Sequence, residues 1–574
     1  MTARLDSVEP AVRDPIRIDF EGWSIEARAG ETVAATLTAH GIRGLRATRT
    51  GADRGVFCGM GVCQDCLVEV DGVPNQRACM TSIDRPLRVR RQRHGQALAA
   101  EVTALPPATA ESLRTERPDV LVIGAGPGGL SAAIAARRAG AAVVVVDERR
   151  YPGGQYFKPL AVDGEDVAPP DAQHREGLAL VRRALEAGVE IRTGVMVWGA
   201  FAPAEFTASD DRGAVRYLPK AAIVATGAYE RGWPVPGWQL PGVMTTGAAQ
   251  TLWRTARRLP GRRVLIAGNG PLNLQLAAEL LAGGAEVAAV VESARPGARH
   301  LGALVAMAAA APSLVRDGIR YHWQRMTRGV PMIDGMVVAA IERTAEGLAV
   351  TLKNASENGG HRRFEVDALC IGYGFEPSNE LLRALGCRHD FDAEQNRLVT
   401  RRDGDGRTSV AGVYALGDCT AMGGARVAAA DGAVAGYAAA AELGLPLAPA
   451  LEREREAAKK QGDRHRRFQR ALWTLYRAPP YRIEQASDDT IICRCEEVCF
   501  GDARAALAEG VIAAGPLKRA TRIGMGPCQG RYCRPLLEAL LAQGSDRQPD
   551  EHSGFAPRVP VKPIAIRDLA SASD

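Results

Sequence analysis

The sequence predicts an α/β multidomain protein with two cysteine-rich segments on either side of a core that repeats one strand–helix–strand unit. The chain has 574 residues, which is too long for a single hydrophobic core and suggests roughly three to five compact units. Residues 119–147 and 262–292 both read as strand, glycine turn, helix and strand. The cysteines gather mainly at 58–79 and 493–533, with the short spacings of metal ligands.

Composition and charge exclude several classes of function. Hydrophobic residues make up 46% and charged residues 24% of the chain, as in ordinary globular proteins. The net charge of +6 is spread over many arginines without a lysine-rich tail, so nucleic-acid binding is not expected. The N-terminus lacks an export signal, and the apolar stretch 120–146 is interrupted by Arg137 and Arg138 before it could span a bilayer. We therefore expect a cytoplasmic protein without an integral membrane segment, at most peripheral to the inner membrane.

The first cysteine group has the spacing of an iron–sulfur site. Plant-type 2Fe–2S centres use the pattern C-x4-C-x2-C-x12-C, with three thiolates from one tight loop and the fourth from a following strand. Gly59 and Gly61 suit the loop because a backbone without side chains can wrap a cluster and aim its amides at the sulfurs. A structural zinc site and buried thiols are the alternatives. The predicted ligands are Cys58, Cys63, Cys66 and Cys79.

Regular structure is also predicted around this group. Alternating apolar residues indicate hairpins at 16–27 and 67–78, and 31–40 reads as a short helix. Together with the cysteine loop, these elements resemble the ferredoxin-like domains of the xanthine-dehydrogenase type over about residues 15 to 93. The resemblance implies a beta-grasp fold with a low-potential one-electron centre.

The first strand–helix–strand unit carries a dinucleotide-binding fingerprint. Gly124-Ala-Gly126-Pro-Gly-Gly129 follows an apolar strand directly and opens a helix, which is the arrangement that cradles phosphates at a helix N-terminus. Eighteen residues past Gly129 the next strand ends in Asp147, placed to bond the adenosine ribose hydroxyls. A glycine turn without a nucleotide is the alternative.

The second unit departs from this fingerprint. It reads Gly268-Asn-Gly270-Pro-Leu-Asn273, with Glu292 after its second strand. Asn273 stands where a small residue lets helix and strand pack closely, so NAD(P) binding and an empty structural fold both stay open. No C-x2-C or C-x4-C pair lies between the two cysteine groups, so the dithiol of a disulfide reductase is not expected. The cysteines in between are interpreted as packed thiols: they are Cys370, Cys387 and Cys419.

Three further motifs resemble those of the two-dinucleotide flavoprotein family to which thioredoxin reductase belongs. They are Pro152-Gly-Gly-Gln155, Ala225-Thr226-Gly227 and Val413-Tyr-Ala-Leu-Gly417-Asp418. The resemblance implies an FAD-binding Rossmann-type fold, completed after the second fold has been inserted, in which Asp418 bonds the ribityl chain. The residues predicted to bind the cofactor are Gly124, Gly126, Pro127, Gly129, Asp147, Glu148, Gly154, Gln155, Val197, Thr226, Gly227, Gly417 and Asp418.

The second cysteine group also predicts an iron–sulfur site. Cys493-Arg-Cys495 is followed, after 32 residues, by Cys528-Gln-Gly-Arg-Tyr-Cys533. A C-x-C pair cannot easily close a disulfide on itself, but it can place two thiolates on one iron. The pattern resembles the bacterioferritin-associated ferredoxin (BFD) type of 2Fe–2S domain, which implies a small helical unit. Cys499 is then a spare thiol, and a zinc site is the alternative.

The order of these parts resembles one family along nearly the whole chain. This family comprises the alpha subunits of bacterial opine oxidases, hydrogen cyanide synthase, dye-linked proline and hydroxyproline dehydrogenases and, without the clusters, heterotetrameric sarcosine oxidase. The resemblance implies a hetero-oligomer whose second subunit, a flavoprotein built like D-amino-acid oxidase, removes hydride from an amine or imino acid. This chain then accepts the electrons, and some members hold FMN at the subunit boundary. The expected domains are a ferredoxin-like domain at 15–94, a linker at 95–117, an FAD-binding domain at 118–258 and 366–445, an inserted NAD(P)-type domain at 259–365, a helical linker at 446–487, a BFD-like domain at 488–545 and a tail at 546–574.

No side chain is assigned a catalytic role, because none of the nine histidines stands in a motif that pairs it with a carboxylate. Flavin takes two electrons and releases them singly, whereas each 2Fe–2S centre carries one, so the predicted cofactors suit electron transfer. Two other functions remain as alternatives. One is a stand-alone NAD(P)H-dependent reductase, which requires a competent second nucleotide site. The other is a scaffold subunit whose first fold holds ATP or NAD in place of FAD.

Overall fold

A computed structural model of the chain describes residues 15–93, 113–161, 168–297, 300–356, 360–483, 486–543 and 549–571. Most of the expected linker at 95–117 and the ends of the expected tail at 546–574 lie outside the described residues. Among those described, none of the helices is both long enough and apolar enough to cross a membrane.

The N-terminal domain is a mixed sheet packed on one helix, as predicted. The helix Val33–Ala39 begins where the Thr32 hydroxyl accepts a hydrogen bond from the Ala35 amide at 3.2 Å. The first hairpin turns at Glu21-Gly22, where both residues have a positive φ, of 53° and 87°. The strands of the domain's main sheet, in order, are Trp23–Ala27, Ile16–Phe20, Arg88–Arg91, Leu67–Val70 and Val73–Arg77. A separate short pair is formed by Arg46–Ala47 and Asp53–Arg54.

The first dinucleotide fold is a parallel sheet with helices on its faces. The strand Val120–Ile123 is buried along its whole length, which fits a central parallel strand covered on both sides. The last strand of the sheet, Val413–Ala415, comes from chain beyond the second fold, so the later segment completes the first fold. In order, the strands are Glu190–Thr193, Val143–Asp147, Val120–Ile123, Ala221–Val224 and Val413–Ala415; the helices are Pro127–Arg138, Gly154–Phe157, Ala172–Glu186 and Ala425–Glu442; and a side sheet contains Met196–Ala202, Glu205–Asp210, Gly213–Tyr217 and Arg114–Glu116.

The second fold is also a parallel sheet, and it draws on chain at both sides of the range 259–365 expected from the sequence. Val243–Thr245 forms one edge, and Ala368–Gly372 lies next to it. Both are short buried runs, and the apolar pattern of such a run does not indicate which of two parallel sheets it joins. The remaining strands are Arg263–Gly268, Glu286–Glu292 and Met332–Asp334; the helices are Thr246–Ala256, Pro271–Ala282, Leu301–Ala310 and Pro312–Thr327; and a side sheet contains Met336–Arg343, Leu348–Asn354 and Arg362–Val366.

The C-terminal part wraps back over both folds. A long helix, Pro449–Leu475, follows the predicted helical stretch and leads to a small unit built around the second cysteine group. The tail returns to the first fold, where the Val561 amide donates to the Trp198 carbonyl at 2.8 Å and the Val561 side chain is buried. The small unit contains strands Ile491–Cys493 and Val498–Cys499 and helices Phe500–Ala508, Ala514–Thr521 and Arg534–Gln543, and the tail ends in the helix Ile566–Ser571. Shorter elements of the core are Ala228–Glu230, Phe375–Pro377, Glu380–Ala384, His389–Asp392 and Arg397–Thr400.

Candidate cofactor sites

The four cysteines of the N-terminal group are buried in one loop and the residues after it. The Cys58 sulfur accepts hydrogen bonds from the Met60 and Cys63 amides at 3.5 and 3.3 Å, and the Cys63 sulfur accepts one from the Asp65 amide at 3.5 Å. Burial raises the pKa of the Cys58 thiol, but hydrogen bonds from the Cys63 thiol and from backbone amides outweigh it and hold this pKa at about 6. Cys66 and Cys79 form a second contact between thiols, which raises the pKa of Cys79. The loop therefore pairs its sulfurs two by two and supplies amides to them, which is what a di-iron centre requires.

The four cysteines of the C-terminal group also meet. The Cys495 sulfur lies 3.8 Å from the Cys493 sulfur and 3.6 Å from the Cys528 sulfur. Hydrogen bonds with Cys495 and Cys533 lower the pKa of Cys493, so this group too shares negative charge among its sulfurs. Cys499 stands apart and contacts the Asp502 carboxylate at 3.1 Å. Among the described residues, no three His, Cys, Asp or Glu side chains converge as the ligands of a single metal ion would. A 2Fe–2S centre does not require such a group, because two cysteines bind each of its irons.

The two cysteine loops touch each other directly. Arg494, between two cysteines of the second group, pairs with Asp65, between two cysteines of the first, at 2.7 Å. Both side chains are almost fully buried, with exposed fractions of 5% and 1%. The Arg494 guanidinium also lies 3.7 Å from the ring centroid of Phe57 and 4.6 Å from that of Trp238. A second buried pair, Arg54 with Glu497 at 3.2 Å, joins the same two domains.

The glycine turn of the first fold leaves space for a phosphate. A Cβ on Gly129 would lie 1.8 Å from the Gly124 carbonyl oxygen, so only glycine lets this helix pack on its strand. A Cβ on Gly126 would meet nothing closer than the Gly154 Cα at 3.9 Å. Gly126 precedes the helix Pro127–Arg138 and offers it no side-chain cap, so the free amides of the first turn can bind an anion.

Asp147 ends the strand Val143–Asp147 and Asp418 follows the strand Val413–Ala415, so both lie at the carboxyl ends of the parallel strands of the first fold. This edge of the sheet, with the glycine turn, is called the cleft. Asp147 is half-buried, and its carboxylate orders the turn by accepting from the Ala125 amide at 2.7 Å and the Arg149 amide at 2.8 Å. Asp418 is also half-buried and accepts from the Gly423 and Gly424 amides at 3.0 and 2.9 Å, at the start of the helix Ala425–Glu442. Burial raises the pKa of both carboxyl groups. Lone pairs stay free of these amides on both oxygens of Asp147 and on Oδ2 of Asp418, so both carboxylates fit a nucleotide rich in hydroxyl groups.

The remaining predicted cofactor residues divide between this cleft and its surroundings. Thr226 is anchored by its hydroxyl, which donates to the Ser378 carbonyl at 2.6 Å. Gly227 has a φ of 70°, and no described atom lies within 4 Å of a Cβ placed there. Glu148 is held by the tail, because the Lys562 ammonium donates to its carboxylate at 2.6 Å and, with Arg77, outweighs burial to lower its pKa to about 2. Val197 is buried in the hydrophobic core between the sheets. Half-buried positions that border the cleft are Gly124, Gly126, Pro127, Gly154, Gln155, Thr226 and Gly227, whereas Gly417 is buried.

Comparison with known proteins assigns this architecture. Residues 118–435 match the family "Pyridine nucleotide-disulphide oxidoreductase", residues 13–94 match "2Fe-2S iron-sulfur cluster binding domain", and residues 491–543 match "BFD-like 2Fe-2S binding domain". The chain belongs to the pyridine nucleotide-disulphide oxidoreductase family. The predicted fold class, family and oxidoreductase type are thereby confirmed, and the chain has two 2Fe–2S domains beside its flavoprotein-type core.

Relatives in this family include components of larger enzymes. An opine oxidase subunit of Rhizobium meliloti (strain 1021) is 33% identical over 79% of this chain and 98% of its own. Hydrogen cyanide synthase subunit HcnB of Pseudomonas aeruginosa is 30% identical over 77% of this chain and 96% of its own. Subunit HcnA of the same organism is 43% identical over 15% of this chain and 83% of its own. The structure of L-proline dehydrogenase from P. horikoshii has the same fold, with a TM-score of 0.71 at 19% identity over 99% of each chain.

The second nucleotide turn of this oxidoreductase is covered by its own chain. A Cβ on Gly270 would lie 3.4 Å from the indole ring of Trp473, and the Asn269 side chain donates to the Tyr476 carbonyl at 3.0 Å. The Glu292 carboxylate, 2% exposed, is bonded to the Asn269 side chain and the Gly270 amide at 2.8 and 2.9 Å. Asn273 is buried and donates to the Gly372 carbonyl at 3.2 Å, which ties the helix to the sheet. The end of the long helix therefore lies where a dinucleotide would approach this turn.

Sequence reasoning missed two buried ionisable residues between the first fold and the N-terminal cysteine loop. Lys158 is 2% exposed, and its ammonium donates to the Gly247 carbonyl at 2.7 Å; burial lowers its pKa to about 7. Glu230 is 3% exposed and accepts from the Gly247 amide at 2.7 Å; burial raises its pKa to about 7. The position of Glu230, three residues after the Thr226-Gly227 motif, is the one sequence signal that could have marked it.

Sequence reasoning also missed the aromatic residues that join the sites. Tyr229 follows the same motif, and its ring centroid lies 5.7 Å from that of Tyr532. Tyr532 lies 5.3 Å from Phe57, again between ring centroids. Phe57 directly precedes Cys58, and Tyr532 directly precedes Cys533. A line of buried rings therefore connects the cleft of the first fold with both cysteine loops.

Proposed function

We propose that the chain is the electron-transfer subunit of a flavin-dependent dehydrogenase complex that oxidises an amine or amino acid, of the opine, proline, hydroxyproline or glycine-like type. A partner subunit, built like the flavoprotein D-amino-acid oxidase, holds the substrate and removes its hydride. Electrons then pass through this chain to a respiratory or quinone acceptor. Bound FAD would supply two-electron uptake with one-electron release, and FMN at the subunit boundary is the second flavin of this proposal.

The observation that carries the proposal is the meeting of three sites at one buried cluster of rings. Tyr229 extends from the Thr226-Gly227 motif of the nucleotide cleft and packs against Tyr532, which packs against Phe57. All three side chains are at least nine-tenths buried. Because electron transfer slows steeply with distance, contact between the cleft and both cysteine loops supports one continuous route through protein.

The cleft supports FAD as the nucleotide in the first fold. The free amides at the start of the helix Pro127–Arg138 would hold the pyrophosphate, Asp147 the adenosine ribose and Asp418 the ribityl chain. The start of the helix Ala425–Glu442 lies beside Asp418, so its dipole favours negative charge at that end of the cleft.

The relatives support a multisubunit complex. Two of them are named as subunits of an oxidase and of a synthase, and both align with most of this chain. HcnB aligns with 77% of this chain and HcnA with 15%, which supports a chain that joins segments carried by two polypeptides in that enzyme. The proposed partner is therefore a further subunit, and the complex a hetero-oligomer.

The test uses the full chain, purified anaerobically. We expect about four irons and four sulfides per chain, extractable FAD, and paramagnetic signals from two centres after reduction with dithionite. Cys58→Ser should abolish one of the two signals and half of the iron, whereas Cys499→Ser, the matched control outside the cluster, should retain both. Zinc at the cysteines, or ATP or NAD in the cleft without flavin, would contradict the proposal.

A stand-alone NAD(P)H-dependent reductase is the competing function. It requires an open second nucleotide site, and the contacts of Gly270, Glu292 and Trp473 oppose one. We expect the bound flavin to stay oxidised when NADH or NADPH is added anaerobically to the isolated chain. Rapid bleaching of the flavin absorbance by either nucleotide would favour the reductase instead.

A further inference from the structure

The Tyr532 hydroxyl is a buried donor that has no hydrogen-bond partner within the part of the chain that the structure describes. The residue is only 5% exposed, so water does not replace the missing acceptor freely. A buried hydroxyl without an acceptor costs about 1–3 kcal/mol of stability. Native proteins rarely retain such a group unless another component completes it.

The surroundings of Tyr532 indicate where the acceptor lies. Its ring contacts the rings of Tyr229 and of Phe57, the residue before Cys58. It belongs to the same buried cluster of side chains as Cys58, Cys63 and Cys528. The Tyr532 side chain therefore lies beside the loop that carries the N-terminal cysteines, although its own domain carries the C-terminal group.

We propose that the Tyr532 hydroxyl donates a hydrogen bond to a sulfur of the N-terminal 2Fe–2S centre, and so sets the reduction potential of that centre from the other cluster domain. Tyr532 is a positioning residue in this role and undergoes no chemistry itself. The inference rests on the proposed function only in requiring that the N-terminal cysteines hold a cluster.

A hydrogen bond to sulfur has a predictable effect on the potential. One-electron reduction adds negative charge to the centre, and a donor at its sulfur stabilises that charge, so the potential rises. The contact also has a structural consequence. The orphan hydroxyl is satisfied only when the C-terminal domain is docked, so the potential of one cluster depends on the position of the other domain.

The test is a redox titration of the full-length, cluster-loaded protein, followed by low-temperature electron paramagnetic resonance. In Tyr532→Phe we expect the midpoint potential of the N-terminal centre to become more negative, by roughly the 59 mV that a tenfold change in a one-electron equilibrium represents. The C-terminal centre should keep its potential. The N-terminal signal is identified as the one that Cys79→Ser abolishes.

Tyr229→Phe is the matched control, because its hydroxyl donates to the Arg531 carbonyl at 3.2 Å and not to a cluster. We expect it to leave both potentials unchanged. Replacement of Tyr532 by 3-fluorotyrosine, a stronger donor of nearly the same size, should shift the N-terminal potential the opposite way and does not depend on how well Tyr532→Phe folds.

Iron analysis distinguishes a failure of the proposed function from a failure of the role of Tyr532. A wild-type chain without iron at the N-terminal cysteines refutes the proposed function itself. Fully loaded variants in which the N-terminal potential does not move, or in which both centres move equally, overturn the role of Tyr532.

Discussion

The buried pair of Arg494 and Asp65 should be the main electrostatic contact that docks one cysteine loop on the other. Two guanidinium nitrogens of Arg494 lie 2.8 and 2.7 Å from one carboxylate oxygen of Asp65. A third nitrogen donates to the Trp238 carbonyl at 2.6 Å. Substitution of Arg494 by methionine keeps most of the length of the side chain and removes every one of these contacts.

The magnitude follows from the burial of both partners. Removing one member of a buried ion pair typically costs about 3–5 kcal/mol, because the other charge is left without compensation. Arg46 remains 3.2 Å from Asp65 and compensates part of the charge, so we expect the low end, about 3 kcal/mol. At about 1.4 kcal/mol per factor of ten, the undocked population rises roughly a hundredfold.

Hydrogen exchange is the appropriate assay, since a multidomain chain does not unfold in a single two-state transition. Amides of residues 491–499 should exchange about a hundredfold faster in Arg494→Met. The double variant Arg494→Met with Asp65→Asn should recover part of the loss, because no unpaired charge remains. The surface pair Arg363–Glu342, with exposed fractions of 54% and 63%, is the control, and Arg363→Met should change exchange by less than about fivefold.

The same pair predicts a pH dependence. Burial raises the pKa of Asp65, but the neighbouring arginines outweigh it and lower this pKa below the usual value of 3.8. The stability that Asp65 contributes is therefore present above the unfolded pKa and is lost as the pH falls through the folded pKa. In Arg494→Met the loss of stability should begin at higher pH.

Hydrogen-exchange rates in Arg494→Met equal to those of the wild type would refute the docking role of this pair.

Two further predictions concern the first fold. Gly129→Ala should prevent stable folding of this unit, because its Cβ would lie 1.8 Å from a carbonyl oxygen. Gly126→Ala should fold normally but bind the nucleotide more weakly. Circular dichroism and flavin content after dialysis distinguish the two variants, and equal behaviour would contradict the assigned roles. Burial raises the pKa of Glu230 from 4.5 to about 7, so the stability that Glu230 contributes is present below about pH 4.5 and is lost as the pH rises through about 7. In Glu230→Gln this decline in stability, followed by hydrogen exchange, should be flatter over that interval, and an unchanged profile would count against it.

Several elements followed from local pattern alone. Alternation around Glu21-Gly22 predicted the first hairpin, and the glycine turn at Gly124–Gly129 predicted a strand, helix and strand in that order. The structure has both. The spacing of each cysteine group indicated a cluster-binding segment, and the family comparisons agree. Such features depend on the backbone preferences and the spacing of a few neighbouring residues, and both can be read from the sequence.

The sequence did not predict which strands belong to which of the two parallel sheets. Val243–Thr245 is a short buried strand of the second fold, although it precedes the range expected for that fold. Parallel strands pair through crossover connections, so their neighbours are chosen by tertiary packing and not by adjacent residues. Trp473 and Tyr476 are ordinary helix-end residues in the sequence, and only the fold brings them to the glycine turn at Gly270.

The sequence by itself determined that the chain has two 2Fe–2S domains and a dinucleotide-type core, because ligand spacing and glycine turns are short-range properties. The tertiary structure alone decided how those sites relate to each other. Arg494 and Asp65 are 429 positions apart, and Tyr229 and Arg531, joined by a hydrogen bond, are 302 apart. Contacts of this kind arise when the buried surfaces of separate domains pack together, and no local pattern in one segment predicts which other segment it will contact.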